Sequence, residues 1–122
     1  IKAFELVAPI EQFAPLAQQE KWDNCGFCIG DPQQEISKAL IALDCTEEVV
    51  DEAIACGADI IITHHPLIFS GVKKISPEDM VGEAVFKAIK AGISIYAAHT
   101  NADKVMAGVS GAMAARLSLK SL

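Results

Sequence analysis

The stretch Asp59-Ile60-Ile61-Ile62-Thr63-His64-His65-Pro66 decides the fold. Its isoleucines do not alternate with polar residues, so neither face of the segment is set aside for water. A short continuous apolar run of this kind reads as a strand covered on both faces, as in parallel sheets. Upstream, Ala39-Leu40-Ile41-Ala42-Leu43 is a second such run. Between the two, Asp44-Cys45-Thr46-Glu47 resembles a capping box with Asp44 in the capping place. The helix it opens carries Val49, Val50, Ala53 and Ile54 on one face, and Gly57 stops it.

Downstream of the histidine pair, a loop runs to about Ile75. Ser76-Pro77-Glu78-Asp79 predicts a second helix start, with proline at the first helical position. Val81, Val85, Ala88 and Ile89 form its inner face, and Gly92 ends it. Ile93-Ser94-Ile95-Tyr96-Ala97-Ala98 is a third strand, and residues 109 to 117 predict a last helix. Strand, helix, strand, helix, strand implies parallel strands joined by right-handed crossovers.

The N-terminal part is less regular. Leu6, Ile10 and Phe13 recur at helical spacing and predict an amphipathic helix over residues 3 to 17, with Pro9 in an early turn or at the true start. Trp22 reads as a cover over the core, and Asp23 and Asn24 as turn residues. Cys25 to Ile29 predicts a short strand closed by Gly30-Asp31-Pro32. The expected fold is α/β: a largely parallel sheet with helices on both faces, an N-terminal helix and a short antiparallel strand. No linker divides residues 1–122, which read as a single α/β domain.

Composition narrows the function. The 122 residues are 52% hydrophobic but only 6% aromatic, so the core is aliphatic. Mean hydropathy is +0.33. The net charge of −6 repels phosphate backbones, which argues against nucleic acid as a partner. No apolar stretch is long enough to span a bilayer and the first residues do not resemble a signal peptide, so the chain reads as cytoplasmic. Cys25, Cys28, Cys45 and Cys56 read as reduced, small, buried residues rather than as a redox or zinc motif.

In open parallel sheets, ligands gather outside the carboxyl ends of the strands. Three such ends are legible: Asp44; Thr63-His64-His65-Pro66; and His99-Thr100-Asn101-Ala102-Asp103. All three histidines of the chain fall there. Adjacent side chains on an extended backbone point to opposite sides, and Pro66 favours an extended His65. His64 and His65 are therefore expected to serve two neighbouring ions, or one ion and its surroundings. Two ions in such sites lie roughly 3.5–4 Å apart and usually need bridging carboxylates. Asp103 offers one, which is few for two divalent cations. Imidazole with carboxylate suits Zn, Fe, Mn, Co or Ni better than Mg or Ca. The expected metal ligands are His64, His65 and Asp103, with His99 placed to assist proton transfer. Asp44 reads as a helix cap rather than a ligand.

The segments Trp22-Asp23-Asn24-Cys25-Gly26-Phe27, Ala42-Leu43-Asp44, Ala58 to Phe69 and Ala98-His99-Thr100-Asn101-Ala102-Asp103 resemble the NGG-interacting-factor-like family, also called GTP cyclohydrolase 1 type 2 homologues. The resemblance implies a dinuclear metal centre within a ring-shaped homohexamer. It implies that His64 and His65 bind different ions, that Asp103 binds one, and that His99 lies near the site, either behind the ligands or facing the substrate. Family chains are about twice this length and supply a further His and a bridging Glu near their C-terminus. The chain is thus expected to be the N-terminal portion of a two-domain protein. Two functions follow as expectations: a metal-dependent hydrolase acting on a nucleotide or other small polar substrate, or a non-catalytic metal-binding scaffold or regulatory interaction module.

Overall fold

The computed structural model describes residues 1–105 and 108–117. Among these, the order is α1 (Ala3–Phe13), a 3-10 turn (Leu16–Gln18), β1 (Gly26–Ile29), β2 (Ala39–Ala42), α2 (Glu47–Cys56), β3 (Ile60–Thr63), α3 (Met80–Ala91), β4 (Ser94–Ala97), α4 (Thr100–Lys104) and α5 (Val109–Arg116). The strands form one mixed sheet in the order β1-β4-β3-β2. β2, β3 and β4 are parallel, pairing Ala42 with Thr63 and Thr63 with Ala97 at their ends. β1 lies antiparallel to β4, with a bulge between Phe27 and Ile29. The expected α/β fold, with its short antiparallel strand, is the fold observed.

Successive residues of the central strands face opposite layers, as the pleat requires. Ile61 and Ile95 pack with Val50, Ala53, Ala84 and Ala88, residues of α2 and α3. Ile60 and Tyr96 pack with Ala3 and Val7 of α1 on the other face. Helices therefore cover both sides, which is why β3 and β4 tolerate unbroken apolar runs. The buried Tyr96 ring stands edge-on to Phe27 at 5.0 Å, and its hydroxyl donates to Glu11 at 3.0 Å.

Element boundaries shift where local chemistry decides. α1 stops at Phe13 rather than continuing to residue 17, because Pro15 pushes Ala14 out of the helical region (φ −132°, ψ 82°). Thr46, not Asp44, caps α2, its hydroxyl accepting from Val49 N–H. α3 begins at Met80, with Asp79 accepting from Gly82 N–H; Pro77 lies in the preceding turn and not at the first helical position. Gly57 and Gly92 end α2 and α3 in the left-handed region, at φ +75° and +70°. No described helix is long and apolar enough to cross a membrane.

Candidate metal centre

Parallel pairing brings the carboxyl ends of β2, β3 and β4 to one sheet edge. Asp44 follows β2, His64 and His65 follow β3, and His99 follows β4 as the residue before α4. β3 ends at Thr63, whose hydroxyl donates to the carbonyl oxygen of His65 at 2.8 Å. That bond accompanies a bend at His64 and His65. The two rings therefore do not point apart, as an extended backbone would require; their centroids are 5.1 Å apart. His99 stands edge-on to both, at 5.1 Å and 5.3 Å. One candidate ligand atom from each histidine lies within 4.8 Å of the others.

Each imidazole is held from behind by its Nδ1. His64 Nδ1 donates to Ala98 O at 2.7 Å. His65 Nδ1 meets Asp44 Oδ1 at 2.6 Å, and His99 Nδ1 meets both oxygens of Asp23 at 3.0 Å. A carbonyl can only accept, so the His64 proton sits on Nδ1, and a carboxylate favours the same tautomer. Among the described residues, no hydrogen bond engages any of the three Nε2 atoms, although Asp103 comes within ion-pair distance of that of His64. Histidines that bind metals are oriented in this way, the second ring nitrogen fixed on a carboxylate or carbonyl.

Asp103, on α4, places Oδ1 3.5 Å from His64 Nε2. With Nδ1 carrying the proton, a neutral His64 turns a lone pair towards a carboxylate. Acceptor then faces acceptor, an arrangement that a cation or proton between them relieves.

Asp23 is the most heavily bonded of these acids, and its side chain is inaccessible to solvent. Burial by itself raises its pKa, but His99, the Thr100 hydroxyl and the N–H groups of Asn24 and Thr100 all donate to it. Together they hold its carboxyl well below the usual range. The Cys25 thiol adds a donor at 3.2 Å.

Several sequence readings change here. Asp44 is not a helix cap but the partner of His65, and Asp23 is more than a turn residue. Trp22 does not cover the core: it is 59% exposed and stands at the site, 6.4 Å from the His99 ring. Of the four cysteines only Cys45 is buried; Cys56 is exposed, Cys25 and Cys28 are half-buried, and all four are free. The signal that could have found Asp44 was its place at a strand end, where His64 and His99 also lie.

The family model for Duf34/NIF3 (NGG1p interacting factor 3) matches residues 1–122. The chain belongs to the NIF3 family. It is 42% identical over 109 residues to a Clostridium perfringens protein named GTP cyclohydrolase 1 type 2 homolog, covering 89% of this chain and 42% of that one. A Staphylococcus epidermidis protein of the same name is 40% identical over 122 residues, 33% of its length. This NIF3 chain thus spans between a third and a half of these relatives. Among solved structures, the Bacillus cereus protein related to NIF3 superposes with a TM-score of 0.89 at 42% identity, covering 99% of this chain and 33% of that one. Reduced HcgD from Methanocaldococcus jannaschii gives 0.91 at 33% identity, covering 99% and 48%.

The donor set fits a divalent transition metal. Ligands of one tetrahedral zinc ion, each about 2.1 Å from it, lie about 3.4 Å apart, and the His64–Asp103 pair is separated by 3.5 Å. The candidate ligand atoms of the three histidines, all within 4.8 Å of one another, are likewise close enough to share a metal ion.

Proposed function

We propose that this NIF3 chain contributes His64, His65 and Asp103 to a two-metal centre of a hydrolase acting on a nucleotide or other small polar substrate. One observation carries the reading: three histidines from two strand ends, each held through Nδ1, bring one candidate ligand atom apiece within 4.8 Å of the others. A folded core needs no such convergence, and packing alone gives no reason for two carboxylates behind the rings.

His64 and Asp103 would hold one ion, and His65, oriented by Asp44, its neighbour. Divalent ions bound there supply Lewis acidity, the capacity to acidify water and to polarise a carbonyl or phosphoryl oxygen. His99 keeps its Nδ1 proton on Asp23 and its Nε2 free, so it is poised to take a proton from water or substrate and return it to a leaving group. Asp23 stays ionised and stabilises the imidazolium that forms. The name shared by the bacterial relatives makes GTP the first substrate to test. Further ligands, a His and a bridging Glu from outside these residues, belong to the same proposal. So does assembly into a ring. Ile41 (77% exposed) and Leu43 (62%) leave an apolar strip along β2 that continues past Ile62 to His64, a surface suited to cover by further protein.

The test pairs metal analysis with turnover. Protein prepared without chelators is expected to carry stoichiometric transition metal and to release product from GTP or a related nucleotide. His65→Ala should lose both without unfolding. Hydrolysis that continues unchanged after chelation, or a preparation free of metal yet fully active, would sink the reading.

A further inference from the structure

Beside the histidines, two large rings face solvent and hold no metal. Trp22 is 59% exposed and Phe69 52%. We propose that Trp22 and Phe69 form a wedge that receives a planar heteroaromatic ring of the substrate and lays it beside His99; this rests on reading the histidine cluster as the reacting centre.

The geometry is that of a platform: the two rings are already in contact, so a guest lies on their exposed faces and not between them. The Trp22 and Phe69 centroids are 5.8 Å apart with planes tilted by 44°, neither stacked nor perpendicular, so each ring keeps a free face. Both stand edge-on to His99, at 6.4 Å and 77° for Trp22 and at 6.5 Å and 73° for Phe69. His99 is thus the third ring at this edge. A flat π-system can stack on one wall and meet the edge of the other, whereas an aliphatic guest gains only buried area.

The wedge is also fixed in place. Asn24 Nδ2 donates to the carbonyl of Ile68 at 2.6 Å, which ties the segment after Trp22 to the residue before Phe69, 44 positions away in sequence. Asp23, next to Trp22, is anchored on His99 and Thr100. The walls are therefore ordered before a ligand arrives, which lowers the entropic cost of binding. Phe4, Phe13 and Phe86 are exposed too, but among the described residues only Trp22 and Phe69 set an exposed aromatic ring against a histidine. Core packing gives no reason for that placement, while recognition of a ring next to a proton-transferring imidazole does.

Trp22 is the single tryptophan of the chain, so its emission reports the wedge directly. Titration with guanosine 5′-monophosphate is expected to quench it saturably, while ribose 5-phosphate, which lacks the ring, leaves it unchanged. Phe69→Leu keeps apolar area but removes the ring and should weaken binding roughly tenfold, the scale of one lost stacking partner; Phe69→Tyr should bind like the native chain. Quenching without saturation, equal quenching by ribose 5-phosphate, or unchanged affinity in Phe69→Leu would overturn the proposal. So would a blue shift that follows protein concentration instead of nucleotide, because a second copy would then cover the pair. A zinc titration of the same sample separates the two readings. Zinc bound without ring-dependent quenching sinks the wedge alone, and ring-dependent quenching without zinc binding supports the wedge and counts against metal binding by His64, His65 and Asp103 of this chain.

Discussion

Asp23→Asn tests the site from behind. The native carboxylate accepts from Asn24 N–H at 2.8 Å on Oδ1, and from Thr100 N–H at 3.1 Å and the Thr100 hydroxyl at 2.5 Å on Oδ2. His99 Nδ1 is 3.0 Å from both oxygens. An amide keeps one oxygen and turns the other into a donor. Whichever way it flips, its NH2 faces a backbone N–H: that of Asn24 in one orientation, that of Thr100 in the other. The Thr100 hydroxyl can rotate to accept, but a backbone N–H cannot. At least one buried donor is orphaned, at about 1–3 kcal/mol, and loss of the charge weakens the bonds that remain. The expected destabilisation is about 2–4 kcal/mol, which in a chain of this size lowers the melting temperature by roughly 6–15 °C. Urea and thermal unfolding of native and variant protein measure it. A variant within 0.5 kcal/mol of the native chain, by the ~0.5 kcal/mol usual for surface changes, would refute the view that Asp23 is a buried acceptor organising β1, β4 and α4.

Three further expectations use other parts of the structure. Asp44→Asn keeps an acceptor for His65 Nδ1 but removes its charge; because Asp44 and His65 are both about half exposed, zinc affinity should fall by about tenfold with little change in melting temperature, and isothermal calorimetry reads both the affinity and any failure of the idea. Burial, helped by the charge of Cys28, pushes the Cys45 thiol up to about 12. A raised folded pKa gives stability that is complete below the ordinary thiol value of about 8.5 and declines as pH rises towards 12. Native protein should therefore lose more stability between pH 8 and 10.5 than Cys45→Ala does, measured by denaturant unfolding, and equal slopes would contradict the assignment. Gly30→Ala should destabilise by roughly 2–4 kcal/mol, since Gly30 sits at φ +111° and a Cβ there would run into the Ser94 side chain and Cα; a melting temperature within a degree of native would count against this close approach of β1 to β4.

How far the sequence was legible follows from the range of the interactions. Continuous apolar runs announced β2, β3 and β4 because burial on both faces is written locally, residue after residue. The helix ends were harder. Both Asp44 and Thr46 are good caps, and the choice fell to Thr46 because Asp44 is engaged by His65 on another strand. The gathering of histidines at the strand ends was legible from topology alone. Their orientation was not, because the bend that turns His64 and His65 together follows a hydrogen bond from Thr63 that no periodicity encodes. Asp23 was the least legible of all. It lies 76 residues from His99, and the antiparallel pairing of β1 with β4, together with the bond from Glu20 N–H to the Thr100 hydroxyl, brings them together.

That last pairing ties site assembly to the folding of the N-terminal segment. β1 is an edge strand whose Phe27, Cys28 and Ile29 pack against the core on both faces of the sheet, and the residues just before it supply Asp23 to His99, Trp22 to the exposed wedge and Asn24 to the Phe69 loop. The parallel strands alone would place three imidazoles at one edge, but they would fix only His64 and His65, through Ala98 O and Asp44. His99 would be left without its Nδ1 partner and free to rotate. An antiparallel strand appended to a parallel sheet therefore has a chemical consequence. It divides the histidines into a pair held by the β2–β3–β4 framework and a third held by a separate, deeply bonded acid, the division that the proposed metal and proton-transfer roles require. A change that loosened β1 from β4 should for that reason disturb His99 before it disturbs metal affinity at His64.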